Sequence, residues 1–174
     1  MHYLNIEIKA RCKNPAAIRK YLESKKAFFN GVDEQVDTYF HTNNGRLKLR
    51  EGMIENNLIF YERNNQAGPK SSAFNLARLE DSASVKDILT KSMGVKVVIR
   101  KKREIWYIDN VKFHIDDVPG LGSFVEIEAG NMISDLSAEE LRQQCDHYMK
   151  ELGIRDSDLL QYSYSDMLME KVNG

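Results

Sequence analysis

The sequence predicts an α+β fold with roughly eight strands, most of them antiparallel and joined by hairpins. Helices are inserted between the strands and follow the last one. Three observations carry this prediction. Residues 4–12 alternate strictly between apolar and polar side chains, which is the period of an extended strand. The dipeptide Asn44-Gly45, a strong hairpin signal, lies between two further extended segments. Ser137 and Glu140 have the spacing of a helix capping box near the end of the chain.

Local signals define the first strand and the helix that follows it. The polar face of the strand at 4–12 consists of Asn5, Glu7, Lys9 and Arg11, and the other face is apolar. Asn14 is a good helix N-cap, and Pro15 suits the first helical position, so a helix is expected to begin here.

The middle of the chain is predicted to be mainly extended. We expect strands over residues 36–40, 46–50, 58–63 and 73–79, with turns at 41–45 and 56–57. The segment 64–69 contains Gly-Pro and is expected to be a loop.

The second half of the chain is predicted to combine a long hairpin with three helices. A short helix over 84–93 ends at Gly94, and a hairpin arm over 95–109 returns over 111–116. Another strand covers 123–129, after a loop at 119–122. A helix then runs from Ser137 to about residue 152, and the last one begins at 157 or later and ends at 172.

Composition limits the class of protein. The 174 residues have enough apolar content for a sizeable core and are expected to form a single domain, 1–174. The net charge of −1 argues against a general polyanion-binding surface, so no nucleic-acid partner is expected. Cys12 and Cys145 lack metal-ligand spacing, and we expect them to be reduced, with Cys12 buried. Neither a signal-peptide pattern nor a membrane-length apolar run occurs, so we expect a cytoplasmic protein with no membrane partner.

Charged side chains recur at alternating strand positions and form three sets. The first is Glu7, Lys9 and Arg11 on the first strand. The second is cationic and spread over several strands: Arg46, Lys48, Arg50, Arg63, Lys101 and Arg103. The third is Glu126 and Glu128, which point the same way from one strand, about 6–7 Å apart along the chain.

These sets have the chemistry of a site for a phosphate-rich ligand and a divalent cation. Two neighbouring carboxylates repel each other unless a cation or a proton lies between them. Mg²⁺ and Mn²⁺ prefer oxygen ligands, and Lys and Arg neutralise phosphate charge. Such a metal and a cationic cradle suffice for phosphoryl chemistry. An ordinary solvated face of an antiparallel sheet is the alternative, and the residues by themselves leave both open.

Other candidates carry less weight. His114 shares a strand face with Lys112 and Asp116, but a lone histidine is more often a hydrogen-bonded packing residue. The sequence contains no P-loop, GxGxxG or GxSxG motif.

Several segments in order along the chain carry a family resemblance. Asn5-x-Glu7-x-Lys9 is similar to an ExExK signature, and residues 37–40, 47–50, 101–103, 113–116 and 163–164 are also family-like. The most specific segment, residues 120–128, has the pattern Gly-Leu-Gly-x-Phe-x-Glu-Ile-Glu. Together they resemble the CYTH superfamily, the triphosphate tunnel metalloenzymes, which includes class IV adenylyl cyclases and thiamine triphosphatases. Residues 120–128 are most similar to the cyclase branch.

The resemblance implies a closed eight-stranded antiparallel β-barrel, or tunnel, with peripheral helices. Its polar interior would bind a triphosphate with Mg²⁺ or Mn²⁺. The implied metal ligands are Glu7, Glu126, Glu128 and Asp116. The implied triphosphate-binding residues are Lys9, Arg11, Lys48, Arg50, Arg63, Lys101 and Arg103. Glu7 and Lys9 are the expected catalytic residues, since the lysine of this motif can help to activate the attacking group.

The chain departs from the family pattern in two places. Asn5 replaces the first Glu of the signature, so we expect weaker metal binding or a one-metal site. In the strand at 58–63 the family often has Lys. Arg63 is the expected cation there, and a one-residue change of register would place Glu62 inside instead.

The expected function is that of an enzyme acting on a small-molecule triphosphate. The favoured reaction is that of a class IV adenylyl cyclase, which forms cyclic AMP and pyrophosphate from ATP. One alternative is a triphosphatase that releases orthophosphate from inorganic or thiamine triphosphate. Another is a non-catalytic module that binds a nucleotide or polyphosphate, which the loss of a carboxylate at Asn5 supports. A homodimer is the oligomeric state that family analogy suggests.

Overall fold

The computed structural model describes residues 3–62 and 68–173. Eight strands form one closed barrel with the order β1-β5-β4-β3-β2-β6-β7-β8, and all neighbouring strands are antiparallel. The predicted eight-stranded barrel with peripheral helices is therefore confirmed. In chain order the elements are β1 (Tyr3–Arg11), α1 (Pro15–Ser24), β2 (Phe28–Phe40), β3 (Arg46–Glu51), β4 (Asn57–Glu62), β5 (Lys70–Arg78), α2 (Ser82–Met93), β6 (Val95–Ile108), β7 (Val111–Val118), β8 (Gly122–Gly130), α3 (Ala138–Glu151), a 3₁₀ helix (Asp156–Asp158) and α4 (Tyr164–Asn173).

The main hydrophobic core lies outside the barrel, between its wall and helices α1 and α3. Ile6 and Ile8 of β1 point outward and pack in one cluster with Leu22 of α1 and Leu141 of α3, all nearly inaccessible to solvent. Burying each such side chain stabilises the fold by about 1.5–3 kcal/mol. Successive strand residues point to opposite faces, so the apolar outer row leaves the inner row of β1 polar.

A second apolar cluster lies where α4 meets the barrel. Tyr164, the first residue of α4, packs its ring 4.9 Å from the ring of Phe124, together with Ile99 and Val118. The same ring lies 3.9 Å beneath the ammonium of Lys9, which points into the barrel. The α4 segment therefore delivers an aromatic side chain to the interior.

Helix caps and turns follow the local chemistry of the sequence. Asn14 accepts a hydrogen bond from the backbone N–H of Ala17 at 3.1 Å, and Ser137 and Glu140 form the predicted capping box. Gly45 has a φ of 60°, and a side chain there would meet the ring of Phe60. No helix in the described residues is both long and apolar enough to cross a membrane.

The structure differs from the predicted elements mainly in strand length. β2 begins at Phe28 rather than at residue 36, because residues 28–35 pair with β6 across a bulge that breaks the apolar alternation. β5 begins at Lys70, before the predicted start at 73. Both cysteines are free thiols, but Cys12 is half-buried rather than buried.

Candidate functional site

The barrel encloses a cavity of about 120 Å³ to which every strand contributes. Among the described residues its lining includes six cationic side chains: Lys9, Lys48, Arg50, Lys101, Arg103 and Lys112. It also includes five carboxylates: Glu7, Asp37, Glu55, Glu126 and Glu128. Polar inward rows from separate strands thus converge in one enclosed space, which excludes the solvated-sheet alternative for these positions.

One side of the cavity, which we call the cationic wall, consists of Lys48, Arg50 and Lys101 around Asp37. Asp37 lies on β2, between β3 and β6, which carry the cations. Arg50 grips both carboxylate oxygens of Asp37, with N···O distances of 2.8 and 2.9 Å. Lys101 Nζ lies 2.7 Å and Lys48 Nζ 3.5 Å from Asp37 Oδ2. A single carboxylate therefore holds three cations.

The electrostatics of this wall favour an added anion. Burial alone would raise the pKa of Asp37, but Arg50, Lys101 and Lys48 lower it well below its usual range, so the carboxylate is ionised. Burial lowers the pKa of Lys101 well below its usual range. Asp37 opposes this shift, and the neighbouring cations add to it: Arg50, Arg103 and Lys48. The wall has more positive than negative charge, and a bound phosphate would relieve that excess.

The opposite side, the carboxylate wall, consists of Glu7 on β1, Glu126 and Glu128 on β8, and His114 on β7. Strand register places Glu7 opposite Glu128 and His114 opposite Glu126. One ring nitrogen of His114 and one oxygen each of Glu126 and Glu128 lie within 4.8 Å of one another. Burial raises the pKa of Glu128, and Glu126, Glu7 and Glu55 add to that effect against the influence of Lys112. The wall itself is anionic, and Lys9 and Arg103 pair with Glu126 from beside it.

Arg103 joins the two walls. Its guanidinium donates to both oxygens of Asp116 at 2.7 and 2.6 Å and to Glu126 Oε2 at 2.9 Å. The hydroxyl of Tyr164 donates to Asp116 at 2.7 Å. Burial would raise the pKa of Asp116, but Arg103 outweighs it and the pKa falls to about 2. Asp116 thus orients Arg103 and Tyr164 from behind the cavity lining.

A loop between β3 and β4 places one further carboxylate inside the barrel. Asp33 accepts hydrogen bonds from the backbone N–H groups of Met53, Ile54 and Glu55 at 2.7–3.1 Å. The loop so fixed directs the Glu55 carboxylate to Arg50 at 2.7 Å and Lys112 at 3.2 Å. Glu55 therefore crosses the interior from the cationic wall to β7.

A larger cavity of about 560 Å³ adjoins the charged interior at one mouth of the barrel. It shares seven residues with the inner cavity: Asn5, Glu55, Asn57, Phe74, Leu76, Lys112 and Glu128. The rest of its lining is mainly apolar side chains and amides, with one aromatic ring and one guanidinium: Asn30, Ile54, Asn56, Arg78, Leu79, Tyr107, Asn110, Gly130, Met132 and Ile133. The apolar and amide part of this surface suits an organic group.

Comparison with known proteins identifies the family. The CYTH domain family model matches residues 4–164. The chain belongs to the CYTH family. It is 30% identical over 149 residues to the protein named putative adenylate cyclase MJ0240 of Methanocaldococcus jannaschii, and the match covers 80% of this chain and 78% of that protein.

Solved structures agree with the CYTH fold. The PH1012 protein from Pyrococcus horikoshii OT3 has a TM-score of 0.77 at 22% identity, with coverage of 93% of this chain and 98% of that chain. A structure from Vibrio parahaemolyticus, described as a putative adenylate cyclase, has a TM-score of 0.78 at 16% identity, with coverage of 95% and 98%. At these identities the likeness shows the fold alone.

The CYTH family is metal-dependent, and the carboxylate wall fits a divalent cation. Glu126 and Glu128 offer hard oxygen ligands, which Mg²⁺ and Mn²⁺ prefer, and Glu7 faces Glu128 from the next strand. Burial raises the pKa of Glu128 and the neighbouring carboxylates add to that effect, so a divalent cation would stabilise the ionised form.

The structure gathers most of the predicted site residues in one cavity. Those that line it are Glu7, Lys9, Lys48, Arg50, Lys101, Arg103, Glu126 and Glu128. Arg11 does not, since it is exposed at the end of β1, where its guanidinium donates to the carbonyl of Leu121. Asp116 lies behind the lining, as described above.

Two members of the predicted cationic set, Arg46 and Arg63, are not part of the cavity lining described above. Arg63 lies outside the described residues. Tyr61 points into the cavity and Glu62 is exposed, which excludes the alternative register for this strand. Arg46 pairs with Asp166 at 3.0 Å and donates to Ser163, so it ties β3 to α4.

Sequence reasoning assigned no site role to several polar side chains of the interior, among them Asp37, Glu55 and Tyr164. Asp37 occupies an inward position of a correctly predicted strand segment, so its alternation with Tyr39 was the available signal. Glu55 enters from a loop, where no strand period applies. Tyr164 belongs to a family-like segment that was noted but given no role. His114 was recognised as an inward position but given less weight than its place in the carboxylate wall warrants.

Proposed function

We propose that this CYTH protein binds ATP in the barrel interior and, with a divalent cation, converts it to cyclic AMP and pyrophosphate. The observation that carries the proposal is the pair of oppositely charged walls facing one cavity. A nucleoside triphosphate with its metal ion has the same division of charge. The name of the 30% identical relative supports the cyclase reaction over others.

The cationic wall is proposed to hold the phosphate chain. Lys48 and Arg50 on β3 and Lys101 on β6 flank β2, whose Asp37 is their shared counter-ion. Phosphate oxygens accept bidentate and charge-assisted hydrogen bonds from such groups. Arg103, which faces both walls, is placed to contact phosphates at the boundary.

The carboxylate wall is proposed to hold the metal through Glu126 and Glu128, with Glu7 nearby. A divalent cation bound there would neutralise charge on the phosphates and lower the pKa of the attacking hydroxyl. Lys9 lies 3.7 Å from Glu126 and above the ring of Tyr164, from which its ammonium can stabilise negative charge on the α-phosphate.

The proposed reaction is an in-line displacement within the substrate. The ribose 3′-oxygen attacks the α-phosphorus, the bond from that phosphorus to the bridging oxygen breaks, and pyrophosphate leaves with the electron pair. We assign acceptance of the 3′-hydroxyl proton to the Glu7 carboxylate, which lies inside the cavity beside Glu128. The outer cavity would hold the base and ribose, which favours a nucleotide over inorganic triphosphate.

The amide at position 5 favours a function other than cyclisation of ATP. Asn5 lines both cavities where the family signature has a carboxylate, and its loss weakens the metal site. A triphosphatase or a non-catalytic nucleotide-binding module would tolerate that loss if the remaining ligands hold substrate without supporting cyclisation.

Product analysis distinguishes these functions. Purified protein is incubated with ATP, inorganic triphosphate or thiamine triphosphate, each with Mg²⁺, Mn²⁺ or chelator. We expect cyclic AMP and pyrophosphate from ATP, dependent on the metal and abolished in Glu128→Ala but not in Glu62→Ala, an exposed control. Orthophosphate would instead identify a triphosphatase, and tight binding without product would identify a binding module.

A further inference from the structure

Two uncharged amides lie where the inner and outer cavities meet. Asn5 on β1 and Asn57 on β4 line both cavities, and the two residues are only 8% and 9% exposed. Among the described residues, neither side chain has a hydrogen-bond partner. Their polar atoms are still reached from the cavity, since neither amide is among the described polar atoms that are both unpaired and sealed from solvent. Buried polar groups nearly always have a partner, so we expect both amides to bind whatever ligand fills the cavity.

The charged side chains at the same junction are already paired or assigned to the metal. The Glu55 carboxylate lies 2.7 Å from Arg50 Nη1 and 3.2 Å from Lys112 Nζ. Glu128 belongs to the proposed metal site. The other residues that the two cavities share, apart from the two amides, are apolar. The amides therefore determine which uncharged polar group of a ligand is held at the junction.

A sugar hydroxyl matches an amide better than a phosphate does. The asparagine side chain has a carbonyl oxygen that accepts and an NH₂ group that donates, and a hydroxyl group can likewise do both. Phosphate oxygens mainly accept, and the cationic wall meets that need. In a nucleoside triphosphate the ribose joins the phosphate chain to the base. With the phosphates in the inner cavity and the base in the outer one, the ribose lies at the junction.

We propose that Asn57 recognises the ribose 2′-hydroxyl and that the site thereby selects ribonucleoside triphosphates over their 2′-deoxy counterparts. Asn5 precedes Glu7 in the inward row of β1, so it is assigned to the 3′ side of the ribose, where Glu7 is proposed to accept the proton. Asn57 lies on β4, separated from β1 by β5, and is assigned to the neighbouring 2′-hydroxyl. The inference deepens the proposed function, because it requires a nucleotide whose phosphates bind in the inner cavity.

Calorimetric titration with two non-hydrolysable nucleotides tests this selectivity. The full chain with Mn²⁺ is titrated with α,β-methylene-ATP, with its 2′-deoxy form and with imidodiphosphate, a phosphate chain without a sugar. We expect the ribonucleotide to bind about tenfold more tightly than the deoxynucleotide, because the 2′-deoxy form cannot make the hydrogen bonds with the amide. In Asn57→Leu, which keeps a similar volume but removes both polar atoms, the ratio should fall to about one. Asn75→Leu, which replaces an exposed amide on β5, is the control and should keep the wild-type ratio.

The results separate ribose recognition from the proposed function. Equal affinity of the wild type for the two nucleotides would overturn ribose recognition, and a ratio that persists in Asn57→Leu would overturn the role of Asn57. Imidodiphosphate should bind all three proteins alike, and weaker binding to Asn57→Leu would place this amide against a phosphate instead. Binding of imidodiphosphate without binding of either nucleotide would contradict the proposed function itself, and ribose recognition with it. Asn57→Ala replaces Asn57→Leu if circular dichroism shows that the latter does not fold.

Discussion

The cationic and carboxylate walls are built from the same strand pattern, but the side chains that define them carry mainly opposite charges. On the cationic wall, Asp37 pairs with Lys48, Arg50 and Lys101, and Glu55 is a second partner of Arg50. On the carboxylate wall, burial and then the neighbouring carboxylates raise the pKa of Glu128 against the influence of Lys112, whereas Glu126 pairs with Lys9 and Arg103. Among the side chains that define the two walls, the first set is mainly cationic and the second is mainly anionic. The cavity is therefore organised to hold a ligand whose own charge is divided, such as a metal–triphosphate complex.

The wall formed by β4 and β5 differs from both. In the described residues it contributes uncharged side chains to the cavity: Asn57, Ile59, Tyr61, Ser72, Phe74 and Leu76. In the described residues the cationic side chains are thus confined to part of the circumference of the inner cavity, and the row of β5 continues through Phe74 and Leu76 to Arg78 in the outer cavity. This arrangement fits the proposed ligand, which has a charged chain and an organic end.

Removing a carboxylate from the carboxylate wall should have the largest effect on activity. In Glu128→Ala we expect metal-dependent turnover to fall by about 10²–10³-fold or more, because metal-assisted charge stabilisation contributes several kcal/mol to the transition state. Steady-state kinetics and circular dichroism measure turnover and fold, with Glu62→Ala as the control. Wild-type rates in Glu128→Ala and Glu126→Ala would refute the assignment of this wall as the metal site.

Removing the counter-ion of the cationic wall should affect stability most. Asp37→Asn removes a carboxylate that the buried Arg50 and Lys101 and the half-buried Lys48 share, and breaking a buried ion pair from one side costs about 3–5 kcal/mol. Urea unfolding at pH 7 measures the free energy of unfolding. A loss below 1 kcal/mol would show that the cations do not depend on Asp37.

The pH dependence of stability is a second test of the role of Asp37. The pKa of Asp37 is lower in the folded protein than in the unfolded chain, so its contribution is complete above about pH 4 and is lost as the pH falls through the folded-state pKa. The wild type should therefore lose more stability than Asp37→Asn between pH 4 and pH 2. Equal losses in the two proteins would contradict the lowered pKa.

Removing one cation should mainly weaken substrate binding. In Arg50→Ala we expect the affinity for a non-hydrolysable ATP analogue to fall about 10–100-fold, since a charge-assisted bidentate contact contributes about 1.5–3 kcal/mol. Arg100→Ala, on the exposed side of β6, is the matched control and should bind normally. Calorimetric titration gives both affinities, and equal values would place the phosphates elsewhere.

Restoring the family carboxylate should have the smallest effect. Asn5→Glu adds a negative charge beside Glu7 and Glu128, and we expect metal affinity to rise several-fold, by about 1 kcal/mol at partly screened distances. Titration with Mn²⁺ and with Mg²⁺ measures the gain. Unchanged affinity for both ions would show that position 5 does not contribute to the metal site.

The strand period accounts for most of what the sequence predicted correctly. Alternation placed Glu7, Lys9, Arg50 and Glu126 on faces that the barrel turns inward. The alternation could not show at which residue the row of inward-facing side chains on β1 leaves the cavity. Arg11 is the last residue of β1 and lies beyond the cavity. Closure of the sheet was implied by the family resemblance, since no local pattern encodes which distant strands pair.

Features that depend on tertiary contacts were beyond the reach of the sequence. Glu55 enters the barrel because Asp33, twenty-two residues away, fixes its loop. The family resemblance implied Asp116 as a metal ligand, but Arg103 and Tyr164 donate hydrogen bonds to its oxygens. In both cases the role of a carboxylate depends on its partners in the folded chain rather than on its position in a strand.

A crystal structure of the protein with a non-hydrolysable ATP analogue and Mn²⁺ tests the central claim most directly. The two-wall arrangement predicts phosphate oxygens against Lys48, Arg50 and Lys101, with Mn²⁺ on Glu126 and Glu128 across the same cavity. An analogue bound on the outer surface, or Mn²⁺ bound away from both glutamates, would contradict it.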